Sequence, residues 1–167
     1  FNDSNGSGVG DFQGLVAKLD YLRDLGVDCL WLLPMYPSPF RDDGYDIADY
    51  GDINPQFGTM KDFKRFMVEA KKRGLRVITE LVVNHTSDQH PWFQAARRDP
   101  KSRYRDWYVW SDKKPANANQ GLVFPGVQKS TWSYDKEARA WYFHRFYDFQ
   151  PDLNTSNPHV QAEILKI

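Results

Sequence analysis

Apolar residues recur at intervals of three and four along Phe12, Leu15, Val16, Leu19, Leu22 and Leu25, which predicts one amphipathic helix closed by Gly26. Val27 to Leu33 is apolar on both faces apart from Asp28, the pattern of a buried strand. A second helix is predicted from the N-cap Thr59 to Arg73, burying Met60, Phe63, Phe66, Met67 and Ala70 and stopped by Gly74. Leu75 to Val83 reads as a second strand, ending at Asn84-His85. Between the strands lies a long loop, Pro34 to Gly58, carrying Pro34, Pro37, Pro39 and Pro55. Helix, strand, helix, strand, with connections long enough for parallel pairing, predicts an α/β fold.

After His85 the rhythm stops. Residues 86 to 150 show no convincing helical period, and turn signals stand at Asp99-Pro100, Lys114-Pro115 and Pro125-Gly126. They are expected to form an irregular, partly β excursion from the α/β body. Asn157-Pro158 then restarts regular structure, as an N-cap followed by proline at the first helical position, with Val160, Ala162, Ile164 and Ile167 beginning a helix. The first eleven residues are a turn-rich loop. Two α/β units do not close a barrel, which needs ~250 residues. The chain is therefore expected to be a piece of a larger domain, cut at both ends.

Composition narrows the function classes. Lys plus Arg and Asp plus Glu both number 22 in the 167 residues, so the net charge is zero. A general binder of nucleic acid or of anionic membranes needs a positive surplus, so neither partner is expected. The longest apolar run, Cys29 to Leu33, is far short of the ~20 residues of a membrane span. A single cysteine excludes an internal disulfide framework and a cysteine-based zinc site. Aromatic residues make up 16% of the chain, and more than half of them lie between Trp92 and Phe149. They require either a core to fill or a ligand with flat apolar faces. Arg97, Arg98 and Arg105 among Tyr104, Trp107, Tyr108 and Trp110 imitate a base-stacking patch, but Asp99, Asp106 and Asp112 interrupt it, so a packed domain with a charged face is favoured.

Polar residues at the carboxyl ends of parallel strands are where α/β proteins place their sites. Three segments qualify: Arg41-Asp-Asp-Gly-Tyr45, Asn84-His85, and Gln150-Pro-Asp-Leu-Asn154. Each also has a structural reading. Asp42-Asp43-Gly44 makes a plausible solvated turn, His85 a satisfied structural histidine, and Asp152 a cap. Asp46 and Asp49 are read as structural.

Gly44-Tyr-Asp-Ile-Ala-Asp-Tyr50 with Phe57-Gly-Thr59, Leu81-Val-Val-Asn-His85-Thr-Ser-Asp88 and Gln150-Pro-Asp-Leu-Asn154 together resemble the α-amylase superfamily, glycoside hydrolase family 13. The order and spacing match over nearly the whole chain. The resemblance is closest to the group containing trehalose synthases and oligo-1,6-glucosidases. It leans to the former through Glu80, where hydrolase relatives usually carry Asp, and through Trp141-Tyr-Phe-His-Arg-Phe146. It implies an α/β chain forming the strand-two to strand-three region of a (β/α)8 TIM barrel. Residues 1–85 would belong to the barrel, 86–156 to an inserted domain B, and 157–167 to the start of the next barrel helix.

The same resemblance implies the site. The residue matching Asp42 binds hydroxyls of the sugar being cleaved, the one matching Tyr45 stacks under its ring, and the one matching His85 donates to a hydroxyl. A carboxylate can hold two vicinal hydroxyls, and an aromatic face covers axial C–H groups and favours oxocarbenium charge. The nucleophile and acid/base of such enzymes follow later strands, so no catalytic carboxylate is expected among these residues. The expected substrates are small α-glucosides, maltose and trehalose, with hydrolysis of short α-glucosides as the alternative and a non-catalytic carbohydrate- or partner-binding relative as the rival class. No organic cofactor is expected. Ca2+ is, at positions matching Asn84 and Asp152, and more weakly in the loop Asp3-x-Asn5-x-Ser7-x-Val9-x-Asp11, which lacks a glutamate at the twelfth position. Relatives of the oligo-1,6-glucosidase type carry Asp where this chain has Ser7. A cytoplasmic enzyme is expected, with which a lone cysteine is compatible.

Overall fold

Thr59 begins the longest helix for a local reason. Its hydroxyl accepts from the Asp62 backbone N–H while the Asp62 carboxylate accepts from Thr59 N at 2.9 Å, a reciprocal capping box. The computed structural model describes residues 1–167, which divide into two units: Phe1–Pro37 with Tyr50–Leu81, and Ser38–Asp49 with Val82–Ile167. No helix is long and apolar enough to cross a membrane.

In the first unit the predicted first helix is two short ones, α1 (Phe12–Ala17) and α2 (Leu19–Asp24). Lys18, at φ −109° and ψ 4°, leaves the helical region and breaks the run, although Leu19 stays fully buried. Strand β1 (Cys29–Leu32), helix α3 (Met60–Lys72) and strand β2 (Arg76–Thr79) follow. β1 and β2 pair in parallel, with Leu30 opposite Val77 and Leu32 opposite Thr79, as the element order predicts. Gly26 and Gly74 have φ of +92° and +72°, and each closes its helix with the paired bonds of a Schellman motif. Val27 N donates to Leu22 O at 3.1 Å in one, and Leu75 N to Ala70 O at 3.0 Å in the other. The core gathers Phe12, Leu19, Met35, Ile53, Phe66, Ala70 and Leu75.

Two expectations need correction here. The strands are shorter than the apolar runs, and β1 is not buried on both faces: Trp31 is 69% exposed, and Ile78 opposite it on β2 is 54% exposed. Leu30, Leu32 and Val77 pack on the core, so alternation turns Trp31 and Ile78 to the uncovered face of a two-stranded sheet. On α3, Phe66 and Ala70 are buried as predicted, but Met67 lies off that stripe and is exposed.

The second unit holds α4 (Pro91–Arg98), a short 3-10 turn at Arg105–Trp107, strands β3 (Trp110–Ser111), β4 (Trp132–Asp135) and β5 (Ala140–Phe143), and α5 (Pro158–Ile164). The strands form an antiparallel sheet in the order β3-β5-β4. Helix α4 corrects the expectation of no helix in this stretch. It is capped by the His90 ring, whose Nδ1 accepts from Trp92 N at 3.1 Å, and it buries only Phe93 and Ala96, too few for a legible period. Asn157 caps α5 as predicted, its side chain accepting from His159 N at 2.9 Å.

The aromatic excess of this stretch fills the second core. Phe93 meets Tyr108 and Tyr142 edge-on at 5.0 and 5.2 Å and stacks on Trp110 at 5.6 Å. Arg105 lies over the Trp110 ring at 3.9 Å and donates to Ala96 O, so this arginine braces the packing.

Candidate functional site

Three segments of the second unit converge: residues 38–46, 84–88 and 147–153. The first is held by Asp46. This fully buried carboxylate accepts from Ser38 Oγ at 2.8 Å, Arg41 N at 3.1 Å and Asp42 N at 3.3 Å. Phe40, Asp43 and Gly44 all have positive φ, of 58°, 48° and 98°. Two consecutive left-handed residues make a tight turn, closed by Tyr45 N donating to Asp42 O at 2.8 Å. A side chain at positive φ costs roughly 1–2 kcal/mol, an expense the Asp46 bonds offset. The turn puts Asp42 and Tyr45 at its two ends.

Backbone pairing joins the other two segments. Leu153 N donates to Asn84 O at 2.8 Å, Thr86 N to Pro151 O at 3.2 Å, and Asp88 N to Phe149 O at 2.9 Å. Side chains then tie both to the turn. His85 Nε2 lies 3.0 Å from Tyr45 O, and Gln150 Nε2 donates to Asp42 Oδ2 at 2.7 Å. Arg41 pairs with Asp88 and lies over the Phe149 ring at 4.3 Å.

The neighbours of His85 fix its proton. An amide N–H2 only donates, so Nδ1 accepts from Asn84 Nδ2 at 3.2 Å, and Nε2 carries the hydrogen given to the Tyr45 carbonyl. Burial lowers the pKa of this imidazole, opposed by the Tyr45 carbonyl and the charges of Asp42 and Asp46. In this arrangement both ring nitrogens are engaged. His85 would donate to a hydroxyl only by releasing the Tyr45 carbonyl.

Asp152 is buried, and burial pushes its carboxyl up to about 6, against the lowering effects of the Arg145 backbone N–H, the Asn84 side chain and the Arg145 charge. Asn84 and Asp152 belong to the two segments that the backbone pairs, through Leu153 N to Asn84 O and the bridge between His85 and Asp152, and they offer one amide and one carboxylate. No group of three or more His, Cys, Asp or Glu side chains is arranged to hold a metal ion. A calcium ion there would take the Asn84 amide oxygen and the Asp152 carboxylate as side-chain ligands and the rest of its shell from backbone oxygens or water.

Asp3, Asn5 and Asp11 lie apart from these segments in sequence and belong to the first unit. Asp3 accepts four backbone N–H groups, from Asn5, Gly6, Ser7 and Gly8. Asn5 accepts from Ser7 N, and Asp11 caps α1 at Gly14 N while binding Ser4. Those oxygens hold the loop's own backbone and the helix start.

Residue types alone did not reveal the part played by two side chains. Gln150, within a segment singled out for Asp152, is the residue bonded to Asp42, and Asp46 is the organiser of the turn. An acid four residues after Asp42 and next to Tyr45 is the one local signal that could have found the latter.

The whole chain, residues 1–167, matches the family of alpha amylase catalytic domains. It is 50% identical over its full length to a trehalose synthase/amylase of Mycolicibacterium smegmatis, covering 28% of that protein. It is 49% identical, again over its full length, to an oligo-1,6-glucosidase of Parageobacillus thermoglucosidasius, covering 30%. Among solved structures, an isomaltulose synthase from Erwinia rhapontici superposes with a TM-score of 0.92 at 43% identity, over 99% of this chain and 30% of that one. A MutB variant in complex with sucrose gives 0.93 at 45% identity, with the same coverage. The chain thus spans less than a third of the length of these relatives. It belongs to the alpha-amylase catalytic-domain family, glycoside hydrolase family 13, and its parallel strands are part of that family's (β/α)8 barrel.

Proposed function

We propose that the whole protein is a retaining α-glucosyl-transferring enzyme that interconverts maltose and trehalose, a trehalose synthase. The observation that carries this reading is the joining of Asp42, Tyr45 and His85 in one cluster, through the Asp42–Tyr45 turn and the His85 bond to the Tyr45 carbonyl. Asp42 would hold vicinal hydroxyls of the glucosyl ring, and Tyr45 would cover its apolar face. His85, neutral and bonded, would fix the turn and meet a hydroxyl on sugar entry. Retaining chemistry needs a nucleophile and an acid/base ~5–5.5 Å apart. Both would come from the rest of the protein. An isomerase must keep the released glucose from water so that glucose attacks the glycosyl-enzyme. The aromatic stretch 86–156 suits the role of an inserted domain B that encloses it. We place the enzyme in the cytoplasm.

A second reading, hydrolysis by an oligo-1,6-glucosidase or α-glucosidase, is favoured by the near-equal identity to the Parageobacillus relative. The two differ in whether sugar or water is the acceptor. Maltose given to the full-length protein separates them by product: trehalose in excess of glucose supports the isomerase, glucose without trehalose the hydrolase. Neither product from maltose or from an α-1,6-linked disaccharide would overturn both.

Calcium enters as part of the same proposal, held by Asn84 and Asp152 and supplying positive charge beside a carboxylate that burial otherwise makes costly to ionise. A ligand that binds only the folded state raises the melting temperature with its concentration. Chelation should therefore lower the Tm of the full-length protein, and Asp152→Ala should remove that sensitivity. Melting indifferent to chelator in the unsubstituted protein would contradict the calcium site.

A further inference from the structure

We propose that Gln150 is a positioning residue for the sugar-binding carboxylate of Asp42; this rests on the reading of Asp42 given above and adds a residue to it. Gln150 is fully buried, with none of its surface exposed. Its Nε2 donates to Asp42 Oδ2 at 2.7 Å, across 108 positions of sequence. Its Oε1 accepts from Tyr147 N at 3.2 Å, and its own backbone N donates to Tyr147 O at 3.0 Å. The Tyr147 N–H settles which end of the amide faces Asp42, because an N–H2 group there would meet another donor. The amide is thus clamped at one end and presents its donor at the other.

The choice of an amide has a chemical reason. The backbone of Asp42 is tethered by Asp46, but its carboxylate needs a separate partner to hold one rotamer. A lysine or arginine in place of Gln150 would neutralise the charge on which hydroxyl binding depends. A carboxylate would repel it. A neutral donor at 2.7 Å fixes the geometry and leaves the charge available, which is what a group aimed at a developing transition state requires. Gln150 itself is not assigned a contact with the sugar.

The test uses the full-length protein and compares Gln150→Ala, Gln150→Glu and Asp42→Ala for kcat and KM on maltose across pH. Gln150→Ala should lower kcat by about 10- to 100-fold, the worth of one hydrogen bond to a charged group, with a smaller change in KM. Gln150→Glu places a second carboxyl against Asp42, so the pair shares a proton only at acid pH. Once protonated, the substituted carboxyl can donate to Asp42 as the amide did. The ratio of Gln150→Glu to unsubstituted activity should therefore rise as pH falls, while the ratio for Gln150→Ala stays flat. Loss of packing alone would give two flat ratios. Because Gln150→Glu is compared with the unsubstituted protein at each pH, the acid rescue remains readable even if Gln150→Ala fails to fold. Asp42→Ala strongly impaired, with Gln150→Glu showing no acid rescue, would overturn the positioning role alone. Asp42→Ala close to the unsubstituted protein would overturn the reading of Asp42, and with it the function of this contact.

Discussion

Asp42→Ala in the full-length protein should lower kcat on maltose by about 100- to 1,000-fold, the scale of losing one preorganised polar contact made to the transition state. KM should move much less. Hydroxyl contacts in glycosidases tighten as the ring flattens toward the oxocarbenium ion, so their loss falls on turnover more than on ground-state binding. Tyr45→Ala should raise KM and lower kcat together, because a stacked ring acts on both states. His85→Ala should resemble Asp42→Ala with a smaller loss, since a neutral group contributes less than a charged one. The structure adds a reason for that ordering: His85 holds the Tyr45 carbonyl, so its removal also loosens the turn that carries Asp42. Steady-state kinetics on maltose, with folding checked by thermal unfolding, measures all three. An Asp42→Ala protein with kcat within a few-fold of the unsubstituted value would contradict the assigned role.

The 167-residue chain by itself should show no turnover of maltose and no cooperative unfolding as a monomer. Its two parallel strands pair only with each other, and parallel sheets are stable when covered on both faces. Here Trp31, Leu33, Ile78 and Leu81 stand more than half exposed on or beside those strands. Fully burying a side chain of this kind contributes about 1.5–3 kcal/mol, so leaving more than half of each of four exposed forgoes several kcal/mol, a large part of the whole stability of a domain. Exposed strand edges of this composition also invite association. Assay of the purified chain together with calorimetry tests this. Measurable turnover, or a sharp monomeric transition at an ordinary mesophilic temperature, would contradict it.

The elements legible in the sequence were those whose signals are local. Thr59 announces the start of α3, Gly74 its end, and Asn157-Pro158 the start of α5, because caps act within one turn of the chain. Lys18 gave no warning of the break between α1 and α2, since the apolar spacing continues across it. Helix α4 was hidden by its brevity and by a histidine cap, a residue type that seldom signals one. The expected burial of β1 fails for a different reason: apolar runs report the environment a strand is built for, and in this chain only one face is covered. In the candidate site, Asp42, Tyr45 and His85 were chosen by the motifs they sit in. What no motif could supply is the bond from Gln150 to Asp42, a contact made by the fold between segments more than a hundred residues apart.

The assigned site is tested most directly by a crystal structure of the full-length protein soaked with trehalose or glucose. A hexose ring lying against Tyr45, with its hydroxyls within hydrogen-bond distance of the Asp42 carboxylate and beside His85, is the result expected. A well-ordered hexose bound elsewhere in the barrel, with Asp42 and His85 keeping only their bonds to Gln150 and the Tyr45 carbonyl, would contradict it.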